Sequence, residues 1–132
     1  MELCGSKTLS KYAKKKPNKR LSEQEACYIF RQVCEGIHHM HSNKICHRDL
    51  KLTNVVIDSH CNVKVVDFGF ATDSEAVQNM YCGTPSYMSP EIVLRKTYFG
   101  KPVDVWALGV VLFKLLTGIY PFGGNKECGF EI

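Results

Sequence analysis

The stretch "HRDLKLTN", from His47 to Asn54, sets two cations, a carboxylate and an amide within a few residues of one another, and "DFG" follows at Asp67 to Gly69. Amide and carboxylate oxygens are hard ligands. Asn54 and Asp67 therefore suit Mg²⁺, which takes few protein ligands and completes its shell with water and phosphate oxygens. Asp49 has the chemistry to face a hydroxyl nucleophile, and Lys51 can neutralise a phosphoryl group in transfer. Each short motif alone is weak. A solitary "DFG" or "HRD" carries little information in 132 residues.

These residues need rigid elements to converge. Ser22 to His41 reads as a helix: Ser22 and Glu25 form a capping box, and Ala26, Ile29, Phe30, Val33, Ile37 and Met40 recur at three- and four-residue steps. Val55 to Ile57 and Val63 to Val66 read as a strand pair around the polar turn "DSHCN". The charged loop thus lies between a helix and a hairpin, and "DFG" lies at the hairpin's far end. From Asp67 to Glu91 no period holds, and so long a loop in a compact domain is usually functional. "KPVDVWALGVVLFKLLTG" is apolar almost all round, with Pro102 near its start and Gly118 near its end. That pattern predicts a helix buried in the core.

Length fits a single domain, and 45% apolar with 23% charged residues excludes a disordered chain. "KYAKKKPNKR" supplies much of the net charge of +4. Without interleaved aromatics it reads as a solvated run rather than a nucleic-acid surface. The seven cysteines are odd in number and form no C-x-x-C pair, which fits reduced thiols better than disulfides or zinc. No signal peptide is evident. The longest apolar run, Val103 to Leu116, is too short for a bilayer and contains Asp104 and Lys114. An intracellular protein, cytoplasmic or nuclear, is expected.

The order "HRDLKLTN", "DFG", "GTPSYMSPE" and "DVWALGVVLFKLLTGIYPF" resembles the signature set of the eukaryotic protein kinases. The resemblance covers nearly the whole chain. It implies an α+β, protein-kinase-like fold: a mainly helical C-terminal lobe with a short β-hairpin, running from the hinge to just past the central buried helix. It implies transfer of the γ-phosphate of ATP to Ser or Thr hydroxyls of protein substrates, with Mg²⁺ as cofactor. Asp49 would be the catalytic base, Lys51 would contact the γ-phosphate, and Asn54 and Asp67 would hold the metal. Thr84 would hydrogen-bond near Asp49 and help dock the acceptor. Val56 would lie beneath adenine, and Glu2 and Cys4 would offer it backbone groups, with Met1 at the gatekeeper position. His47 and Phe68 would stack into an apolar spine, with Gly69 closing the DFG motif. Arg48 would meet the activation loop, Asp104 would brace the catalytic loop, and Glu91 would await an arginine partner.

Lys51 and "GTPSY" resemble the serine/threonine branch, and the apolar helix is similar to the calcium/calmodulin-dependent and AMP-activated group. Three positions depart from the family pattern. Leu52 stands where proline is usual, Ser89 replaces alanine in A-P-E, and Met80 occupies a position where relatives carry a phosphorylated threonine. A switch by phosphorylation at Met80 is therefore not expected. The sequence shows no glycine-rich loop, no "VAIK"-type lysine and no later lobe helices, so the N-terminal lobe is expected to be absent and the 132 residues inactive alone. A non-catalytic kinase-like interaction module is the alternative. Nucleic-acid and membrane partners are not expected, and the regulator is not indicated.

Overall fold

A computed structural model describes residues 6–122. Met1, Glu2 and Cys4 lie outside the described residues. The chain starts with a two-residue strand β1 (Lys7–Thr8) leading into helix α1 (Leu9–Lys14), where the Thr8 side chain accepts from Lys11 N at 3.2 Å. About half of the basic run lies in or beside α1, and the remainder forms a turn around Pro17–Lys19. Lys16 is drawn down onto Glu25 at 3.1 Å and over the Tyr12 ring.

Helix α2 (Glu23–Ser42) starts where expected, with Ser22 Oγ accepting from Glu25 N at 3.2 Å. Only half of the capping box forms, because the Glu25 carboxylate turns to Lys16 instead. Glu23 and Glu25 in the first turn and His39 and His41 in the last suit the helix dipole. Ala26, Ile29, Val33 and Ile37 are fully buried, while Phe30 and Met40 flank them partly covered.

Strands β2 (Ile45–Cys46), β3 (Val55–Ile57) and β4 (Val63–Val65) follow. The expected hairpin is present but is not a free pair. β3 is central in a three-stranded antiparallel sheet ordered β1-β3-β4. Its turn is tightened by Asp58 Oδ1, which accepts from His60 N and Asn62 N. These donors, Asn62 foremost, hold the Asp58 carboxyl below its usual range. A second sheet, unforeseen in the sequence, pairs β2 with β5 (Thr72–Asp73). The long segment after Asp67 is therefore ordered at several points: through β5, a Gln78–Tyr98 bridge, and a 3₁₀ turn at Pro85–Tyr87 leading to helix α3 (Pro90–Val93).

Helix α4 (Gly100–Thr117) ends on Gly118 in the left-handed region, φ 79°, as the glycine predicts. It is not buried all round. Val103, Asp104, Ala107, Val110, Val111 and Leu115 face inward, whereas Val105 and Phe113 are 60% and 40% exposed. Uniform apolarity left no sign of which face packs. The inward face joins α1, α2 and β3 in one core with Leu50 and Leu52, and a smaller cluster gathers Met88, Ile92, Tyr98 and Val103. No helix among the described residues is long and apolar enough to cross a membrane.

Gly100 marks the closest approach of α4 to β2. A Cβ there would lie 2.7 Å from Cys46 Cβ and collide with Cys46 Sγ. Cys46 is fully buried, and burial pushes its thiol up to about 11, so it behaves as a packed apolar group. Gly100→Ala is expected to lower the urea unfolding free energy by about 1–3 kcal/mol, the usual scale of overpacking. An unchanged unfolding midpoint would show that this contact yields freely.

Candidate active site

The loop between β2 and β3 is fixed from below by one carboxylate. Asp104, fully buried in the first turn and a half of α4, accepts from His47 N and Arg48 N, both at 2.8 Å. His41 Nε2 meets the same carboxylate at 2.8 Å. Three hydrogen bonds satisfy a charge whose burial would otherwise be costly. They also hold Arg48 at φ 67°, a left-handed backbone that costs a non-glycine residue roughly 1–2 kcal/mol. Asp67 is likewise left-handed, φ 62°. Strain of this kind persists only where the surroundings over-determine it.

His47 carries the order further. Its Nδ1 accepts from Asp49 N at 3.2 Å and its Nε2 meets Val66 O at 3.0 Å, so the proton sits on Nε2 and the loop is tied to the residue before Asp67. The His47 and Phe68 rings meet edge-on with centroids 5.6 Å apart, although Phe68 is half exposed.

Above this base the predicted residues converge. Lys51 Nζ donates to Thr84 Oγ1 at 2.8 Å, and that hydroxyl donates to Asp49 Oδ1 at 3.0 Å. Lys51 Nζ lies 3.8 Å from Asp49 Oδ2. Asn54 Nδ2 donates to Asp49 O at 2.8 Å and reaches Asp49 Oδ2 at 3.4 Å. The Asn54 Oδ1 accepts no hydrogen bond among the described residues, which leaves a hard oxygen free. Val66 N bonds Asn54 O at 2.8 Å and so sets exposed Asp67 next to it in the chain. An amide oxygen and a carboxylate match what Mg²⁺ takes from a protein when phosphates and water complete its shell. Val56 is half-buried and, by strand alternation, faces away from the core that takes Val55 and Ile57.

Arg48 reaches the long segment, with Nε donating to Phe70 O at 2.7 Å and Nη1 to Tyr98 OH at 3.3 Å. Met80 also contacts it, with Arg48 Nη2 3.8 Å from the thioether sulfur. Gly69 N donates to Asp67 Oδ1 at 3.3 Å. Glu91 is exposed in the first turn of α3 and has no cation within ion-pair distance among the described residues. Leu52 gains something proline could not offer, because its N–H donates to Tyr87 OH at 3.3 Å. Ser89 adds a buried hydroxyl without a partner, which nothing in the structure explains. His41, Tyr87 and Tyr98 escaped sequence reasoning. Each acts across dozens of residues, and no local pattern marks it.

Asp104→Ala removes the acceptor of two backbone donors and of His41. It is expected to cost about 3–5 kcal/mol in urea unfolding and to raise amide exchange at His47 and Arg48 well above that of α2. Equal exchange in both regions would mean that the loop is held by other contacts.

The profile of the protein kinase domain matches residues 1–130. The chain is 45% identical over 108 residues to NUAK family SNF1-like kinase 1 of Homo sapiens, covering 80% of this chain and 16% of the relative. It is 45% identical over 112 residues to serine/threonine-protein kinase SRK2J of Arabidopsis thaliana, covering 82% of this chain and 33% of the relative. For probable serine/threonine-protein kinase MARK-B of Dictyostelium discoideum the identity is 44% over 105 residues, covering 78% and 15%. The chain thus spans a third or less of the length of these curated relatives. With the profile matched almost end to end, the chain belongs to the protein kinase domain family.

Proposed function

We propose that the 132 residues are the C-terminal-lobe part, from hinge to central helix, of an ATP-dependent serine/threonine protein kinase of the AMP-activated branch. The observation that carries this reading is the chain Lys51 Nζ to Thr84 Oγ1 to Asp49 Oδ1, with Asn54 anchored on the same Asp49. It holds a carboxylate, a cation and an amide at fixed mutual positions, which is what phosphoryl transfer requires of a protein. The SNF1-like names among its relatives support the branch.

In this reading Asp49 orients the Ser or Thr hydroxyl and accepts its proton as the new O–P bond forms and the bond to the ADP leaving group breaks. Thr84 keeps the Asp49 carboxylate aimed, and Lys51 balances charge on the moving phosphoryl group. Asn54 Oδ1 and Asp67 would hold Mg²⁺, which when bound neutralises charge on the phosphates. Val56 forms the floor under adenine, to which Glu2 and Cys4 would offer backbone groups. Arg48 and Asp104 position the loop, and Gly69 and Phe68 set the turn after Asp67. The free thiols at Cys27, Cys34, Cys46, Cys61 and Cys82 suit a reducing intracellular compartment.

A second reading, a kinase-like interaction module, draws on a groove of about 380 Å³ between α2 and α4 lined by Cys27, Phe30, Leu112 and Leu116. Radiolabelled ATP and a Ser/Thr peptide separate the two. In the protein's longest expressed form Asp49→Asn should lower kcat by about 10³ or more, and an inactive wild type that still captures a partner through the groove would favour the module. The 132 residues alone should transfer negligible phosphate, since they contain no glycine-rich loop to cover it. A purified 132-residue chain that phosphorylates the peptide, and loses this with Asp49→Asn, would overturn that expectation.

A further inference from the structure

Arg48 is a buried cation, 8% exposed, and among the described residues no carboxylate lies within ion-pair distance of it. Its Nε and Nη1 are satisfied by a carbonyl and a phenol. Its Nη2 faces the sulfur of Met80 at 3.8 Å. A thioether is among the weakest acceptors a side chain offers, so this corner of a desolvated guanidinium is poorly compensated. Met80 is 47% exposed, whereas Met88 is 5% exposed and Met40 packs partly buried against the core. The methionine that touches the cation is therefore the most exposed of the three described methionines.

The backbone at Met80 is already joined to the same cluster. Tyr98 OH donates to Met80 O at 2.7 Å while accepting from Arg48. Gln78 N donates to Tyr98 O at 2.7 Å, and Tyr98 N to Gln78 O at 2.9 Å. Any gain in the hold on Met80 is thus transmitted to a two-bond bridge between the long segment and the entry to α4.

We propose that Met80 is a peroxide-responsive modification site whose sulfoxide oxygen accepts from Arg48 and tightens residues 78–82 on the catalytic loop. In the step a sulfur lone pair attacks one oxygen of a peroxide and the O–O bond breaks. The thioether loses two electrons to become a sulfoxide, and the peroxide is reduced to water or an alcohol. The new S–O oxygen carries substantial negative charge and lies on the side chain that already touches Nη2. It replaces a soft contact with a charge-assisted hydrogen bond without any rearrangement of the backbone.

The test uses the intact protein, dilute hydrogen peroxide, peptide mass mapping and amide exchange at Gln78 and Tyr98. Met80 should gain one oxygen before Met40 and Met88, and exchange at the two bridge amides should slow about tenfold, the scale of one hydrogen bond to a charged group. Methionine sulfoxide reductase should reverse the slowing, and a thiol reductant should not, which separates it from cysteine oxidation. Met80→Leu should abolish the response, and Met80→Gln, with a permanent amide acceptor, should slow exchange without peroxide. Oxidation of Met80 no faster than of Met40, unchanged or faster exchange, or an equal response in Met80→Leu would each overturn the proposal.

Discussion

The buried carboxylate of Asp104 is the constraint on which the site's geometry rests. It projects from the apolar helix α4 and binds two successive backbone amides of the β2–β3 loop and the last turn of α2. A desolvated carboxylate is stable only while its donors stay in place. The helices, in turn, are held by a shared core that contains Ile29, Val33, Val111 and Leu115. Packing therefore fixes Asp104, and Asp104 fixes a loop that would otherwise relax out of the left-handed conformation at Arg48.

From that point order passes outward through a series of further hydrogen bonds. His47 ties the loop to Val66 and so to Asp67, and Asn54 and Thr84 aim Asp49. Farther out, Arg48 and Tyr98 gather the long segment by bonds to main-chain oxygens at Phe70 and Met80. The His47 and Arg48 amides sit on buried hydrogen bonds to Asp104, whereas Phe68, Met80 and Tyr81 are about half exposed. Arg48 lies at the boundary, buried and, among the described residues, without a carboxylate at ion-pair distance, and it bonds both the outer segment and Asp104.

Much of the architecture was legible from pattern. The α2 stripe, its Ser22 cap, the β3–β4 pair and the Gly118 stop all follow from rules that act within a few residues, so local spacing suffices to find them. The outward face of α4 was not legible, because a helix apolar on every side has no periodicity to show which side packs. The β2–β5 sheet was missed for a different reason. Two-residue strands more than twenty positions apart leave no alternation to detect. The half-made capping box had the right residues, but Glu25 found a tertiary partner in Lys16 instead.

The sequence by itself determined the inventory of the site: the types and order of Asp49, Lys51, Asn54, Asp67 and Thr84, and through them the family. That information is local and chemical, so it survives without coordinates. Only the tertiary structure decided how those groups are aimed. His41 on Asp104, Tyr87 on the Leu52 amide, Tyr98 on Arg48 and Gly100 against Cys46 are contacts between residues 35 to 63 positions apart. Their existence depends on how helices and strands cross in space, which no spacing rule encodes. Met80 shows the same division. Its inability to take a phosphate was plain from its chemistry, but its contact with the buried Arg48 guanidinium depends on how the segment folds over the β2–β3 loop.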